Sequence, residues 1–341
     1  MIRFGAVTLT MVALLALALT VGGAWSGLAL AYITLFTFLM DKIAALAAPE
    51  APDSAEFPAA DPLSVALALA QFPLLFGGIH VLSQTATGTT QKALIFVALS
   101  LFLGQVGNSN AHELIHRSNR WFHRLGVAVY CSVLFGHHAS AHVRVHHIHA
   151  ATDADPNSAR HGESFWRFAL RAWHGSFREG WRAEAALRKR SAKAGLHPYV
   201  TYALGALVSG ALATAVAGLP GLLWLLALSS YAQAQLLLSD YVQHYGLRRT
   251  NRADGRPEPV GPAHSWNAPH WFSSALMLNA PRHSDHHAHP GRRYPALELH
   301  PASMPVLPYA LPVMAVIALV PPLWRRVMDH RARKWAGTTQ M

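Results

Sequence analysis

Six apolar runs limit what this chain can become: Gly5 to Gly23, Leu28 to Ala48, Leu63 to Leu82, Ala93 to Val106, Tyr199 to Ala217 and Leu219 to Leu238. In lipid no water is present to pair a stray N–H or C=O, so runs of this kind are confined to helices that satisfy their own backbones. A bilayer core takes roughly 20 helical residues. All the runs but Ala93 to Val106 are long enough, and Asn108, Ser109 and Asn110 extend that one towards the interface. Only 13% of the residues are charged, against about 25% in a soluble domain. The expected fold class is an all-α integral membrane protein with six transmembrane helices.

The charges are unevenly placed. Only Arg3, Lys42 and Lys92 precede Arg117; the remaining Lys and Arg fall in Arg117 to Lys193, Arg248 to Arg293 and Arg325 to Lys334, between or after the apolar runs. This is the positive-inside pattern, which puts those stretches on the cytoplasmic face. The net charge of +11 is therefore read as topology together with attraction to anionic lipid or an acidic partner protein, and no nucleic-acid-binding module accompanies it. The single Cys, Cys131, excludes an internal disulfide and a fused Cys-ligated iron centre, which needs several thiolates.

Met1 to Gly23 is expected to stay as a span, since its apolar run exceeds the usual core of a cleaved signal and a second run follows at once. Residues 1–110 then hold helices 1 to 4, with turns at Gly22 to Gly27 and Ser83 to Gln91 outside and the acidic loop Ala48 to Pro62 inside. Residues 111–197 form a cytoplasmic region in which Leu125 to Phe135 reads as a half-buried or interfacial helix. Residues 198–240 hold helices 5 and 6, paired through Gly218 to Gly221. Residues 241–341 return to the cytoplasm, and Met304 to Pro321, interrupted by four prolines, reads as re-entrant or packed on the bundle. Both termini fall inside.

Every histidine cluster then lands on one side of the membrane. Arg282 to Pro290 reads Arg-His-Ser-Asp-His-His-Ala-His-Pro. On a helix His283, His286 and His287 fall at i, i+3 and i+4, so three ring nitrogens leave one face and converge on one ion. His112-Glu113-Leu114-Ile115-His116 places two imidazoles at i and i+4 at the end of span 4. His142-Val143-Arg144-Val145-His146-His147 spaces three at i, i+4 and i+5, with His137, His138 and His149 nearby, and His244 follows span 6. A solvated polar turn explains any one cluster alone, and a lone His beside Tyr, such as His244, is more often structural. Together they are nine imidazoles from four segments, too many for one ion and suited to two. Imidazole binds Zn, Cu, Fe and Ni. A site at the ends of apolar helices suits an oily substrate, and attack on an unreactive C–H bond calls for oxygen chemistry at iron or copper, since zinc has no redox.

From Asn108 to Met328 the sequence resembles the integral-membrane alkane 1-monooxygenases, or alkane hydroxylases, in the wider group of membrane fatty-acid desaturases and hydroxylases. The resemblance rests on His112 to His116, on His142-x-x-x-His146-His147 followed by Asp155-Pro156-Asn157-Ser158-Ala159-Arg160, on Gln243-His244-Tyr245-Gly246-Leu247, and on His264-Ser265-Trp266-Asn267. Most specific is Arg282 to Pro290 with Arg292-Arg293-Tyr294; Pro321 to Met328 resembles the family's ending. It implies a non-haem diiron centre, two Fe ions, in a His-rich cytoplasmic cap, with His112, His116, His142, His146, His147, His244, His283, His286 and His287 as ligands. It further implies O2-dependent hydroxylation of a medium-chain n-alkane to a 1-alcohol. Electrons would come from a rubredoxin- or ferredoxin-type carrier with its reductase, and the setting would be a bacterial-type inner membrane. Glu113, Asp240 and Asp285 are the carboxylates expected to orient ligand imidazoles, and Trp121, Phe122 and Trp166 are expected along the substrate's path from the bilayer.

The chain departs from the family pattern at Asp240 and Gln243, where Asn and Glu are usual, at Ala141, where Glu is usual, and at Pro281, where Gln is common. Hydroxylation of an aromatic methyl group, as in xylene monooxygenase, and fatty-acid desaturation or hydroxylation are therefore the alternatives. Two further readings are a zinc peptidase using His112, Glu113 and His116 and, last, a metal transporter, whose ligands would lie nearer mid-membrane.

Overall fold

The computed structural model describes residues 1–43, 57–191 and 195–338. Most of the acidic loop expected at Ala48 to Pro62, with Glu50, Asp53 and Glu56, lies outside the described residues, as does the end of the second apolar run. Among the described residues the secondary structure is helical, with only two isolated bridges, Asn251 to Pro257 and Asn267 to Val306.

The first four apolar runs are α1 (Ile2–Thr20), α2 (Ala24–Ile43), α3 (Ala60–Ser83) and α4 (Thr89–Ile115). α4 is the most enclosed of them and carries His112 in its last turn. Asn119 starts α5 (Arg120–Ser132) by accepting the Trp121 N–H at 2.8 Å. Its polar and apolar faces make it the half-buried helix expected for that stretch. α6 occupies residues 138–149. α7 (Phe165–Ser191) is a 27-residue amphipathic helix that the basic, aromatic sequence did not announce. α8 (Pro198–His244) is 47 residues long and breaks at Ala217 and at Gly218, whose φ of 60° is left-handed. Gly210 and Leu222 meet across this break, so α8 folds back on itself as two arms, as the paired runs require. Among the described residues five helices are long and apolar enough to cross a membrane, α8 counted once.

The rest is short: α9 (Trp271–Leu276), α10 (His283–Ala288), α11 (Leu311–Ala318) and α12 (Pro321–Thr338). The eight residues of α11 cannot span; α11 packs on the second arm of α8. One apolar core, including Met11, Leu15, Leu75, Leu99 and Phe102, runs through the spans. A second, around Phe168, Tyr241, Tyr245, Trp324 and Met328, lies beneath the histidines. Trp324 is fully buried against the Tyr241 and Tyr245 rings, and the Tyr245 hydroxyl donates to Asp329 Oδ1 at 2.6 Å. The Pro321 to Met328 motif thereby closes α12 onto the end of α8.

Candidate metal centre

His112 stands in the last turn of α4 and His116 just past its end. α5 lies so close to this end that a Cβ on Gly126 would stand 2.9 Å from both Ala111 O and Leu114 Cβ. In α6 the turn 142–146 is a π-turn, and the His147 N–H reaches back to His142 O. That i to i+5 closure brings His142 and His147 onto one face, their Nε2 atoms 3.0 Å apart, and sends His146 elsewhere. His244 ends α8 with its Nε2 3.0 Å from His283 Nε2.

α10 does not aim its three histidines at one ion, as its spacing suggested. It lies between two groups. His283 and His287, one turn apart with Nε2 atoms at 3.1 Å, join His146 and His244. His286 joins His112, His116, His142 and His147. Within each group the candidate donor atoms all lie within 4.8 Å of one another. The groups adjoin, with the His147 and His287 rings 4.6 Å apart.

These distances fit metal binding. Neighbouring Nε2 atoms stand 2.7 to 3.1 Å apart, and with metal–nitrogen bonds of about 2.1 Å two ligands at right angles are about 3 Å apart. The Nε2 atoms of His116 and His146 are buried without a hydrogen-bond partner, a costly state for a polar atom unless it ligates. Burial pushes His283, His286 and His287 well below the ordinary imidazole pKa, with neighbouring imidazoles adding to it, and takes His116 down to about 3. Neutral imidazole is the ligating form.

His146 behaves differently. Burial lowers its pKa, but the charge and hydrogen bond of Asp155 outweigh that and raise it above the ordinary value. His146 Nδ1 donates to Asp155 Oδ2 at 2.9 Å, which leaves the Nε2 lone pair facing the group. Asp155 is itself fixed by the Ser158 hydroxyl at 2.7 Å and the Asn157 N–H at 3.0 Å. Sequence reasoning missed Asp155 as the carboxylate on a candidate ligand; the signal was an acid within the quoted motif that follows His146 and His147.

Of the three carboxylates singled out from sequence, Asp240 accepts the Asn157 amide at 2.6 Å and lines the cavity described below. Glu113 faces Arg117 at 3.4 Å. Asp285 receives His289 at 2.8 Å, Arg292 at 2.8 Å and the Glu298 N–H at 3.0 Å, so it ties α10 to the following loop. On the other side of α10, Asn267 Oδ1 accepts the Ser284 N–H at 2.9 Å and the Ser284 hydroxyl donates to Ser265 O at 2.7 Å. The non-histidine members of the two motifs thus brace the helix that carries the histidines. His137, His138 and His149 belong to neither group.

A cavity of about 100 Å³ opens beside His112, His142 and His283. A water-sized sphere takes about 10 to 15 Å³ on this measure, so several methylene-sized groups fit. Its apolar walls are Leu236 and Leu238 of α8, Met277, and Leu311 and Ala315 of α11, and Asn108, Ser109, Ser239, Asp240 and Gln243 line it as well. Trp121, Phe122 and Trp166 are not among its walls. Trp121 and Trp166 are exposed, and Phe122 borders a separate polar opening at His116 and Arg117. Two of the departures from the family pattern, Gln243 and Ala141, have local reasons. The Gln243 amide donates to Ala280 O at 3.1 Å and accepts from Ser239 at 2.8 Å, which a carboxylate cannot match. Ala141 packs against Gly180, where a Cβ would already stand 3.2 Å from Ala141 Cα.

The sequence profile described as fatty acid desaturase matches residues 90–318. Alkane 1-monooxygenase 2 of Pseudomonas aeruginosa is 34% identical over 278 residues, covering 79% of this chain and 73% of that protein. An alkane 1-monooxygenase of Pseudomonas putida is 36% identical over 254 residues, 71% of this chain and 61% of that one. The xylene/toluene monooxygenase hydroxylase component of Pseudomonas putida is 28% identical over 284 residues, 80% and 73%. With its histidine groups, apolar helices and these matches, the chain belongs to the fatty acid desaturase family and, within it, to the membrane alkane 1-monooxygenases.

Proposed function

We propose that this enzyme hydroxylates the terminal carbon of a medium-chain n-alkane, using O2 and electrons from a rubredoxin- or ferredoxin-type carrier, with nine histidines holding two non-haem irons. The observation that carries the reading is a five-imidazole and a four-imidazole group meeting beside an apolar-walled cavity. A single hydrolytic zinc needs only three protein ligands, so a peptidase would leave most of these imidazoles without work. Two irons bound here would supply reductive activation of O2 and insertion of one oxygen atom into a C–H bond. The second oxygen leaves as water, which takes two electrons and two protons from outside.

The chain's own residues do the positioning. Asp155 fixes the tautomer and direction of His146. The Asn267, Ser265 and Asp285 bonds hold α10 so that neighbouring histidines serve different groups. Leu236, Leu311 and Ala315 direct an alkyl end towards His112 and His142 and keep water from it. We place the six spans in a bacterial-type inner membrane with the histidines at the cytoplasmic end, from the distribution of Lys and Arg; the substrate then enters sideways from the lipid.

The relative that acts on xylene and toluene is less similar than those named for alkanes, which favours a linear substrate. The test is metal content of the purified protein together with the product from octane under isotopically labelled O2. About two irons per chain and labelled 1-octanol are expected. Two irons with octane untouched and a xylene hydroxylated would move the substrate to aromatic methyls; a single zinc would overturn the reading.

A further inference from the structure

A second cavity lies between α3, α5 and the first arm of α8, with a volume of about 530 Å³. Its walls are apolar: Phe72 and Phe76 of α3, Val127 and Ala128 of α5, Val208 and Leu212 of α8. It contains none of the nine histidines. His123 and Arg124 line it as well, at the start of α5.

The cavity is long in one direction. On α8 its lining runs from Pro198 to Leu212, about 21 Å of helix at about 1.5 Å per residue. One leaflet of a bilayer core is about 15 Å deep, so the groove is long enough for one acyl chain. Its cationic end is on the metal-centre side, because His123 Nδ1 donates to Ile115 O at the end of α4 at 2.9 Å. Trp121, one turn before, is 73% exposed, the placement of an aromatic at headgroup level. The Arg124 guanidinium is exposed, lies 5.2 Å from the Trp121 ring centre and makes no ion pair among the described residues.

We propose that this groove binds one anionic phospholipid, with the phosphate on Arg124 and an acyl chain along Val208 and Phe76. Charge complementarity selects the occupant: a neutral hydrocarbon leaves the cation unanswered, whereas a phosphate at the mouth pairs with it. The site is independent of the reaction at the histidines and is measured without turnover.

The test uses the full chain in detergent micelles, offered equal amounts of phosphatidylglycerol and phosphatidylcholine with the same acyl chains, and counts retained lipid by native mass spectrometry. Wild type is expected to retain phosphatidylglycerol about fivefold over phosphatidylcholine, the effect of one basic group near an anionic lipid. Arg124→Gln brings the ratio near parity and Arg124→Lys keeps most of it. Val208→Trp, which fills the groove, lowers retention of both lipids. Iron content and thermal unfolding of the variants, read on the same samples, are expected to match wild type. Equal retention of the two lipids by wild type, an undiminished preference in Arg124→Gln, or displacement of the phospholipid by octane regardless of headgroup would each overturn the proposal.

Discussion

Asp155 decides how one histidine presents itself. Its carboxylate accepts a hydrogen bond from His146 Nδ1–H at 2.9 Å, so Nε2 is left as an acceptor inside a group of four imidazoles. Removing such a partner typically lowers metal affinity 10- to 100-fold, through lost orientation and basicity. Asp155→Ala is therefore expected to bind iron about 10- to 100-fold more weakly, read by iron content after dialysis against a graded chelator. Asp155→Asn keeps an oxygen that accepts from Nδ1, so it is expected to recover part of the loss. Equal iron retention by Asp155→Ala and wild type would remove Asp155 from any role at the metal. Gln243 shows the limits of reading a departure from a pattern as a loss. Its amide uses both donor and acceptor, to Ala280 and from Ser239, so the residue suits its surroundings as an amide.

At the level of elements, α5 sets the position of the α4 end that carries His112 and His116. The two helices approach where Gly126 has no side chain, with backbone Ala111 O 2.9 Å from any added Cβ. A backbone atom cannot rotate away, so Gly126→Val must push α5 outward and shift both histidines. The expected result is a lower unfolding temperature and loss of at least half the bound iron, measured by elemental analysis on folded, monodisperse protein. Unchanged iron would mean that the α4 end is held by other contacts. Helix positions of this kind were legible from the six apolar runs and the turn at Gly218, since lipid admits few alternatives. The four histidine segments were legible too, but singling out nine imidazoles and passing over His137, His138 and His149 rested on the family resemblance; the structure gathers those nine into two candidate groups. What stayed hidden was their division. Counting along an α-helix puts His142 with His146 and groups His283, His286 and His287 on one face. The π-turn at 142–146 instead pairs His142 with His147, and α10 serves two groups at once. One inserted residue in a helix changes which side chains align, and sequence spacing does not reveal where that residue sits. α7 was hidden for a different reason: its many charges and aromatics look like a loop until their helical faces are sorted against Tyr199 and α8.

For the molecule as a whole, gathering so many imidazoles into a buried region costs stability in acid unless a metal holds them neutral. His116, His283, His286 and His287 have pKa values in the fold below the ordinary 6.5, through burial. The unfolded chain then binds more protons than the folded one between about 6.5 and those lower values, so stability rises with pH across that window and falls on acidification. Each histidine that titrates only when unfolded contributes up to about 1.4 kcal/mol per pH unit. Metal-free protein is expected to unfold at clearly lower temperature at pH 5.5 than at pH 7.5, and a flat dependence would mean that His116 and its neighbours are not shielded from protons. Most of the Lys and Arg residues fall after residue 116, in the stretches between and after the apolar helices. Under the proposed function an acidic carrier would be attracted by the net charge of +11 as a whole, since Arg117 and Arg293 at the polar opening beside His116 are already paired with Asp61. Salt screens exposed charges beyond about 10 Å at 0.1 M, and complementary charge acts chiefly on the encounter rate. Raising the salt concentration from about 50 to 500 mM is therefore expected to slow octane hydroxylation several-fold when a rubredoxin-type carrier is limiting. Turnover driven by a small chemical reductant should change little. A carrier-dependent rate as insensitive to salt as the chemical one would mean that the protein's positive charge does not guide the carrier.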